Sequence, residues 1–582
     1  MKRTATRLAS QLSLLALLCV PATLGLTACN PPAENQNTTV TSTGDSDTLR
    51  LLYWQAPTIL NPHLSTGFKD SEASRITLEP LASFDNDGEM VPFLAAEIPT
   101  LENGGLAEDG RSVTWKLKPD LKWSDGEPFT AEDVVFTFEF ITNPDVGTTT
   151  AGTYEVIESV EALDDQTVKV NFKQPNPAWY LNFVGTEGMI LPQHIYEEYN
   201  GTNARQAPAN LEPVGTGAFR VVEFKPGDTV VYEANPNYRD AENVGFQRIE
   251  LKGGGDATSA ARAVLQTGDA DFAYNLQLEA PVLQELANAG QGEVVTIPNS
   301  LVERILINQT NPNEEVNGER SSLEAPHPFL TDESVRQAFN LAIDRDSIAN
   351  QLYGPTGDVT ANFLVLPEEF RSSNTSYEFD LEQAAALLDE AGWVDTNNNG
   401  TRDKDGTEMT IIFQTSVNPV RQKTQEIVKQ ALEEIGVSVE LRSIDASIFF
   451  SGDPASTDTT ERFQADLQMY TTGNTNPDPG SYMKTYTCDE IPQQENNWIG
   501  DNVSRYCNPE YDALWEASSQ ELDPEKRRQI FLEMNDLLVD NVIVMPIVDR
   551  AEVVGVSNTI EGLELTPWDL NTWKIAEWRR QS

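Results

Sequence analysis

Leu121-Lys-Trp-Ser-Asp-Gly-Glu-Pro-Phe-Thr-Ala-Glu-Asp-Val-Val-Phe-Thr-Phe138 is the stretch from which the rest of the chain is read. Just upstream, Val113, Trp115 and Leu117 alternate with Thr114, Lys116 and Lys118, the period of a strand with one buried face. Ser124-Asp125-Gly126 predicts a turn, because glycine accepts positive φ and aspartate bonds its own backbone. Thr130, with Asp133 three residues on, predicts a helix start: the hydroxyl accepts an orphan N–H, and the acid favours the positive helix end. Val134, Phe138 and Ile141 give that helix one apolar stripe. Local physics therefore supplies a strand, a turn and a capped helix, and no function.

The same eighteen residues resemble the signature segment of the family 5 extracellular solute-binding proteins, the dipeptide-, oligopeptide- and nickel-binding receptors of ABC importers. Further stretches carry the resemblance: Glu79-Pro-Leu-Ala-Ser-Phe-Asp, Pro213-Val-Gly-Thr-Gly-Ala-Phe-Arg and Val335-Arg-Gln-Ala-Phe-Asn-Leu-Ala-Ile-Asp-Arg. The resemblance implies a bilobed α/β Venus-flytrap fold, two lobes with mixed sheets and a hinge. Lobe one is expected over residues 48–297 with a C-terminal return over 545–582, and lobe two over 298–544. The hinge crossings then fall near Pro298 and Met545. A length of 582 residues independently argues for at least two lobes.

The N-terminus assigns the compartment. Lys2, Arg3 and Arg7 form a basic region, Leu12 to Leu18 a short apolar one, and Leu26-Thr27-Ala28-Cys29 follows. The apolar run is too short to span a bilayer and reads as a secretory signal. The site before Cys29 resembles a bacterial lipobox. Residues 1–28 are thus expected to be removed, Cys29 to be acylated, and residues 29–47 to act as a flexible tether. Loss of the leader shifts the formal charge from −51 to −54. Such a surface excludes nucleic acid as a partner and reads first as a solubility device, with steering of cationic ligands as the alternative.

Cys19 leaves with the leader and Cys29 carries lipid, so Cys488 and Cys507 remain, and export makes a disulfide between them the default. His63, His194 and His327 are scattered, no zinc spacing exists, and neither a metal nor a cofactor is expected. Asp395, Asn397, Asn399 and Asp403 around Gly400 resemble the start of an EF-hand loop, but its twelfth position is Gly406, which argues for an Asx-rich turn.

Elsewhere the pattern predicts a strand from Leu49 leading to a Pro-rich loop, and a strand pair within Tyr154 to Phe172 around Asp164-Asp165. Gly215 and Gly217 precede a strand rather than a helix and read as a structural turn, not a phosphate loop. Helices are expected over 256–266, 332–352, 381–391, 420–435 and 523–538. Val542 to Val548 reads as a buried strand that leads back to lobe one.

In the family, peptide receptors place an aspartate a few residues before an Asp-Pro step to pair with the ligand's terminal ammonium. In Asp466 to Met483, aligning Asp478-Pro479 puts Asn474 at that position. Either Asp478 takes over the role or the ligand lacks a free amine. Tyr53, Trp54 and Tyr470 stand at loop positions where the family builds its cleft walls, and such pockets are mostly apolar. The resulting expectation is a monomeric, lipid-anchored receptor for a peptide or similar small solute, serving ABC permease subunits. An exported hydrolase and a solute-sensing lipoprotein are the alternatives; the hydrolase lacks any G-x-S-x-G, H-E-x-x-H or Cys/His constellation.

Overall fold

Two mixed β-sheets, each with its own hydrophobic core, divide the chain. The computed structural model describes residues 47–65, 67–451 and 456–581, so the expected signal, Cys29 and most of the tether lie outside the described residues. Lobe one is built on a seven-stranded sheet ordered Gly292–Ile297, Glu552–Ser557, Phe272–Ala273, Thr48–Tyr53, Arg248–Gly253, Thr229–Ala234 and Phe219–Lys225. Its central strand, Thr48–Tyr53, runs parallel to both neighbours. Leu49, Leu51 and Tyr53 share one face and enter the core with Ile249, Leu251 and Phe272.

Lobe two carries a six-stranded sheet ordered Gly357–Val359, Val544–Arg550, Val302–Ile307, Leu467–Thr472, Thr410–Ser416 and Ser438–Ile444. Val302–Ile307 is buried at every residue, as a strand covered on both faces must be. Ile305 and Ile307 face one core with Val335, Phe339 and Ile411, while Leu306 faces a second with Tyr482, Tyr486 and Phe531.

The opening motif folds as an annex of lobe one. The strands Ser112–Lys116, Thr167–Phe172 and Ile157–Asp164 form an antiparallel sheet over Trp115, Trp123, Val168 and Val170. Thr130 and Asp133 close a reciprocal capping box at the start of helix Ala131–Thr142, and Gly126 takes φ +99° in the turn. The Asp133 carboxylate also accepts from Gln193 N at 3.0 Å, which ties the helix start to a distant loop. Gly215 is required for a different reason: a Cβ there would run into the Thr77 carbonyl, while Gly217 N donates to that oxygen at 2.9 Å.

Two boundaries differ from those expected. The first crossing lies between Ile297 and Val302, close to Pro298, but the second is not at Met545. Val544–Arg550 stays in lobe two, antiparallel to Val302–Ile307, and the chain crosses at Ala551 before Glu552–Ser557 joins the lobe-one sheet. An apolar run is suited to the interior of either sheet, so its composition carries no lobe assignment. The helix expected over 332–352 is also broken. Glu333–Leu341 ends at Ala342, and Asp344 caps a new turn by accepting from Ser347 N at 2.9 Å. Arg345, buried beside the break, donates to Pro546 O at 2.7 Å, a contact a continuous helix would not offer.

Candidate interlobe binding site

The strand Leu467–Thr472 ends at the lobe crossing, where Gly473 lies so close to the Ser300 carbonyl that a Cβ would not fit. Ser300 Oγ then donates to Asn474 O at 2.5 Å, fixing the start of the loop Asn474–Pro479 beside the hinge. Asn474 is 3% exposed; its Nδ2 donates to Asn476 O at 2.9 Å and its Oδ1 has no partner. A buried carbonyl oxygen without a donor costs about 1–3 kcal/mol.

Asp478 is engaged from three sides. Its Oδ1 accepts from Gly480 N at 2.8 Å and from Arg527 Nη2 at 2.9 Å, and Arg527 Nη1 grips Oδ2. Tyr180 Oη, from lobe one, donates to Oδ2 at 3.0 Å. Burial alone would lower the Arg527 guanidinium, but Asp478 overrides it and holds the cation above its ordinary value. Burial and the Asp478 charge likewise keep the Tyr180 phenol protonated. An aspartate already paired in this way is not an open acceptor for a ligand ammonium.

Tyr470 is half-buried next to this loop, edge-on to Phe449 and Phe450, with the Arg304 guanidinium 5.5 Å from its ring centre. Arg304 opposes Tyr470 in the strand register, is 2% exposed and also contacts the Tyr482 hydroxyl. Tyr53 is not a cleft wall. It lies fully inside the lobe-one core, stacked on Tyr274 at 4.7 Å with its hydroxyl on Glu72. Trp54 is half-buried on the adjoining face and donates to Asn275 O at 2.9 Å. The structure thus gathers Tyr470, Asn474 and Asp478, holds Trp54 on the lobe-one side, and removes Tyr53.

Polar contacts join the lobes around the site. Arg550 donates to Asn275 Oδ1 at 2.7 Å, Gln277 to Glu303 at 3.2 Å, and Lys423 pairs with Glu279 at 2.6 Å. At the opposite side Lys484 bridges Glu155 of lobe one at 3.0 Å and Glu490 at 2.9 Å. A separate cavity of about 430 Å³ is lined by lobe-one residues alone, and its main charges are already paired as Arg239–Glu79 and Arg75–Asp569.

Cys488 and Cys507 are joined, Sγ–Sγ 2.07 Å, closing a loop on the lobe-two side. Among the described residues they form, with Asp512, the one group whose atoms lie at metal-ligating distances, and both sulfurs are used in the bond. In the EF-hand-like loop the side chains are turned on their own backbone. Asp395 accepts from Asn399 and Gly400 N, and Asp403 from Thr396.

Comparison with known proteins agrees with this architecture. The model for bacterial extracellular solute-binding proteins, family 5 middle, matches residues 89–492, more than half of the chain. The chain belongs to that family. An oligopeptide-binding protein, AppA of Bacillus subtilis, is 29% identical over 400 residues, 67% of this chain and 68% of that one. A dipeptide-binding protein of Pseudomonas aeruginosa is 23% identical over 547 residues, 89% and 92% of the two chains. Among solved structures, AppA of Bacillus subtilis in complex with a nonapeptide superposes with a TM-score of 0.76 at 24% identity, covering 92% of this chain and 99% of that one. NikZ of Campylobacter jejuni, in complex with Ni(L-His), gives a TM-score of 0.77 at 23% identity, covering 92% and 100%. The bilobed fold is therefore that of the family. Arg304, Tyr180 and Arg527 at the site had no signal in the sequence: each acquires its role only from a partner remote in the chain.

Proposed function

We propose that the protein is the substrate-binding component of an ABC importer, which captures a peptide or similar small solute between its lobes and delivers it to membrane permease subunits. The observation that carries this reading is the buried, unpartnered Asn474 Oδ1 in the loop that leaves the hinge. It stands where the family's peptide receptors carry an aspartate, and a carbonyl oxygen accepts from an ammonium or an amide N–H alike. The oligopeptide- and dipeptide-binding names of the relatives support the solute class, and support binding rather than hydrolysis. Closure needs no chemistry: a ligand that touches both lobes gains its full contacts only in the closed form and shifts the hinge equilibrium toward it. Acylation of Cys29, outside the described residues, would hold a monomeric receptor at a membrane, in the periplasm or on the outer face of the cytoplasmic membrane.

Calorimetry with a free-amine peptide and its N-acetylated twin tests the site. Asn474→Asp should favour the free amine by about tenfold or more, the scale of a charge-assisted contact. Equal affinities for both peptides on wild type and variant would remove Asn474 from the anchor. Protein purified from its own host should release a co-bound peptide in native mass spectrometry; a non-peptide solute there would overturn the solute class. Cys29→Ser should abolish lipid labelling, and unchanged labelling would refute the anchor.

A further inference from the structure

Arg304 lies on Val302–Ile307, the strand that follows the first lobe crossing, and is 2% exposed. Its guanidinium makes one hydrogen bond, from Nη1 to the Tyr482 hydroxyl. The centres of the Tyr470 and Tyr482 rings stand 5.5 and 5.7 Å from it. Nε is sealed from solvent and bonded to nothing, the one arginine nitrogen in that state among the described residues. Nη2 has no partner either but is not sealed, so this edge of the cation meets open space beside the half-buried Tyr470, its neighbour in the strand register.

Every other buried arginine among the described residues has a carboxylate or a carbonyl oxygen as partner. Arg421 pairs with Glu303 at 2.6 Å, and Arg345 donates to Pro546 O at 2.7 Å. Arg304 has neither. Burial raises the phenols of Tyr470, Tyr482 and Tyr486, so all three are protonated at neutral pH and none supplies negative charge. Asp501 senses the Arg304 charge but forms no ion pair with it. Aromatic faces offset only part of the cost of burying a cation. A second group nearby is also unsatisfied. Tyr486 is 1% exposed and its hydroxyl has no partner; its ring lies 5.6 Å from that of Phe363, which lies 5.7 Å from that of Tyr482. Guanidinium and phenol both donate, so the group missing here is an acceptor.

A neutral acceptor would complete the hydrogen bonds, but only an anion also compensates the charge. The unpartnered nitrogens say which anion. Nε and Nη2 share one edge of the guanidinium, the edge that a carboxylate takes side-on through two parallel hydrogen bonds. Depth says where that carboxylate is carried. The guanidinium lies inside lobe two, against Tyr482 of the core cluster that holds Leu306 and Phe531. A solute backbone held between the lobes reaches it only through a projecting side chain. We propose that Arg304 pairs with a side-chain carboxylate of the solute, so that the receptor selects acidic peptides. This deepens the peptide-receptor reading and rests on it.

The test uses the mature chain. Pentapeptides identical but for glutamate or glutamine at one position are titrated calorimetrically, the position being scanned along the peptide. At one position the glutamate peptide should bind wild type about tenfold or more tightly. Arg304→Met should bring that ratio to about twofold or less, and Arg304→Lys, which keeps the charge without the fork, should fall between. Equal affinities at every position, or a preference that Arg304→Met leaves intact, would overturn the proposal. Urea unfolding without ligand checks the fold. Arg304→Met should be no less stable than wild type, because it removes an unpaired buried charge; a clear loss would show that the cation is already paired in the ligand-free protein, and would also overturn the proposal. A further peptide pair differs only at the C-terminus, acid against amide. An Arg304-dependent preference there would move the anion to the chain end and overturn the side-chain assignment. Glutarate is the second probe. If no peptide binds, Arg304-dependent binding of glutarate keeps the anion site while the peptide reading fails; glutarate binding that ignores Arg304, or no binding of either probe, overturns both.

Discussion

Tyr180 of lobe one donates its phenol hydrogen to Asp478 of lobe two at 3.0 Å, across the cleft and onto a carboxylate that Arg527 already holds. The donor and the ion pair belong to different lobes, so the bond exists only while the lobes touch. It gives closure a defined polar contact independent of any ligand.

Tyr180→Phe tests that contact. The ring packs edge-on against Phe84 and Trp179, and phenylalanine keeps these contacts while removing the hydroxyl. A hydrogen bond to a charged group is worth about 1.5–3 kcal/mol, so the closed form should lose roughly that much. Ligand affinity should fall by about 10- to 150-fold, and the radius of gyration without ligand should rise in small-angle scattering. An unchanged affinity and an unchanged radius would show that the bond contributes nothing to closure.

Arg527→Met addresses the other side of the same carboxylate. Asp478 is 2% exposed, and removing its cation leaves a buried charge with only neutral donors. Breaking a buried pair in this way costs about 3–5 kcal/mol. The double variant Arg527→Met with Asp478→Asn should regain most of that loss, because no charge is then stranded. Urea unfolding of the two single variants and the double variant gives the coupling directly. Additive losses would mean that the pair is not coupled in solution.

How much of this was legible in the sequence follows the range of each interaction. The capping box of Thr130 and Asp133 spans three residues and was readable. So were the glycine-ended helices Leu381–Glu390 and Pro419–Glu434, because their stop signals are local. Tyr53 lies on the core face with Leu49 and Leu51, where alternation alone places it, and not in the cleft that the family resemblance implies. The partners of Asp478 are 49 residues away in Arg527 and 298 away in Tyr180, and no periodicity reaches that far. Val544–Arg550 shows the same limit at the level of lobes: its burial was readable, and its choice of sheet was not.

His63 sets an acid limb to stability. The ring is fully buried, with Nε2 at 2.8 Å from Met189 O and Nδ1 at 2.9 Å from Thr150 Oγ1. A carbonyl only accepts, so Nε2 carries the hydrogen, Nδ1 accepts from the hydroxyl, and the neutral ring is satisfied. Burial pushes the imidazole down to about 4. The unfolded chain binds this proton first, near 6.5, so the contribution is fully present above that pH and is lost as pH falls toward 4. The loss amounts to about 3 kcal/mol. The Glu72 carboxyl, raised to about 7 chiefly by burial, acts in the opposite sense: its contribution is present below its unfolded value and is lost as pH rises toward 7. His63→Gln should therefore be less stable at neutral pH but show a flatter decline between pH 6.5 and 4. With three histidines in the chain, proton NMR can follow each ring, and titration of His63 near 6.5 in the folded protein would refute the assignment.

The Cys488–Cys507 bond should matter to stability. It closes a segment with a sequence separation of 19, for which the chain-entropy model gives about 3 kcal/mol. The segment also has fixed points of its own: Asn502 Nδ2 donates to Thr487 O at 2.9 Å, and Arg505 Nε to Ser321 O at 2.8 Å. A variant with both cysteines replaced by serine should accordingly still fold, with unfolding free energy lowered by about 3 kcal/mol in denaturant. Hydrogen exchange separates two ways of losing that energy. If the bond acts on the unfolded chain alone, protection within 488–507 falls only as far as the global stability does. If it also holds the loop in place, exchange there exceeds the global change. The two anchors argue for the first outcome: a uniform loss of protection. An unfolding curve indistinguishable from wild type would show that the bond contributes no stability.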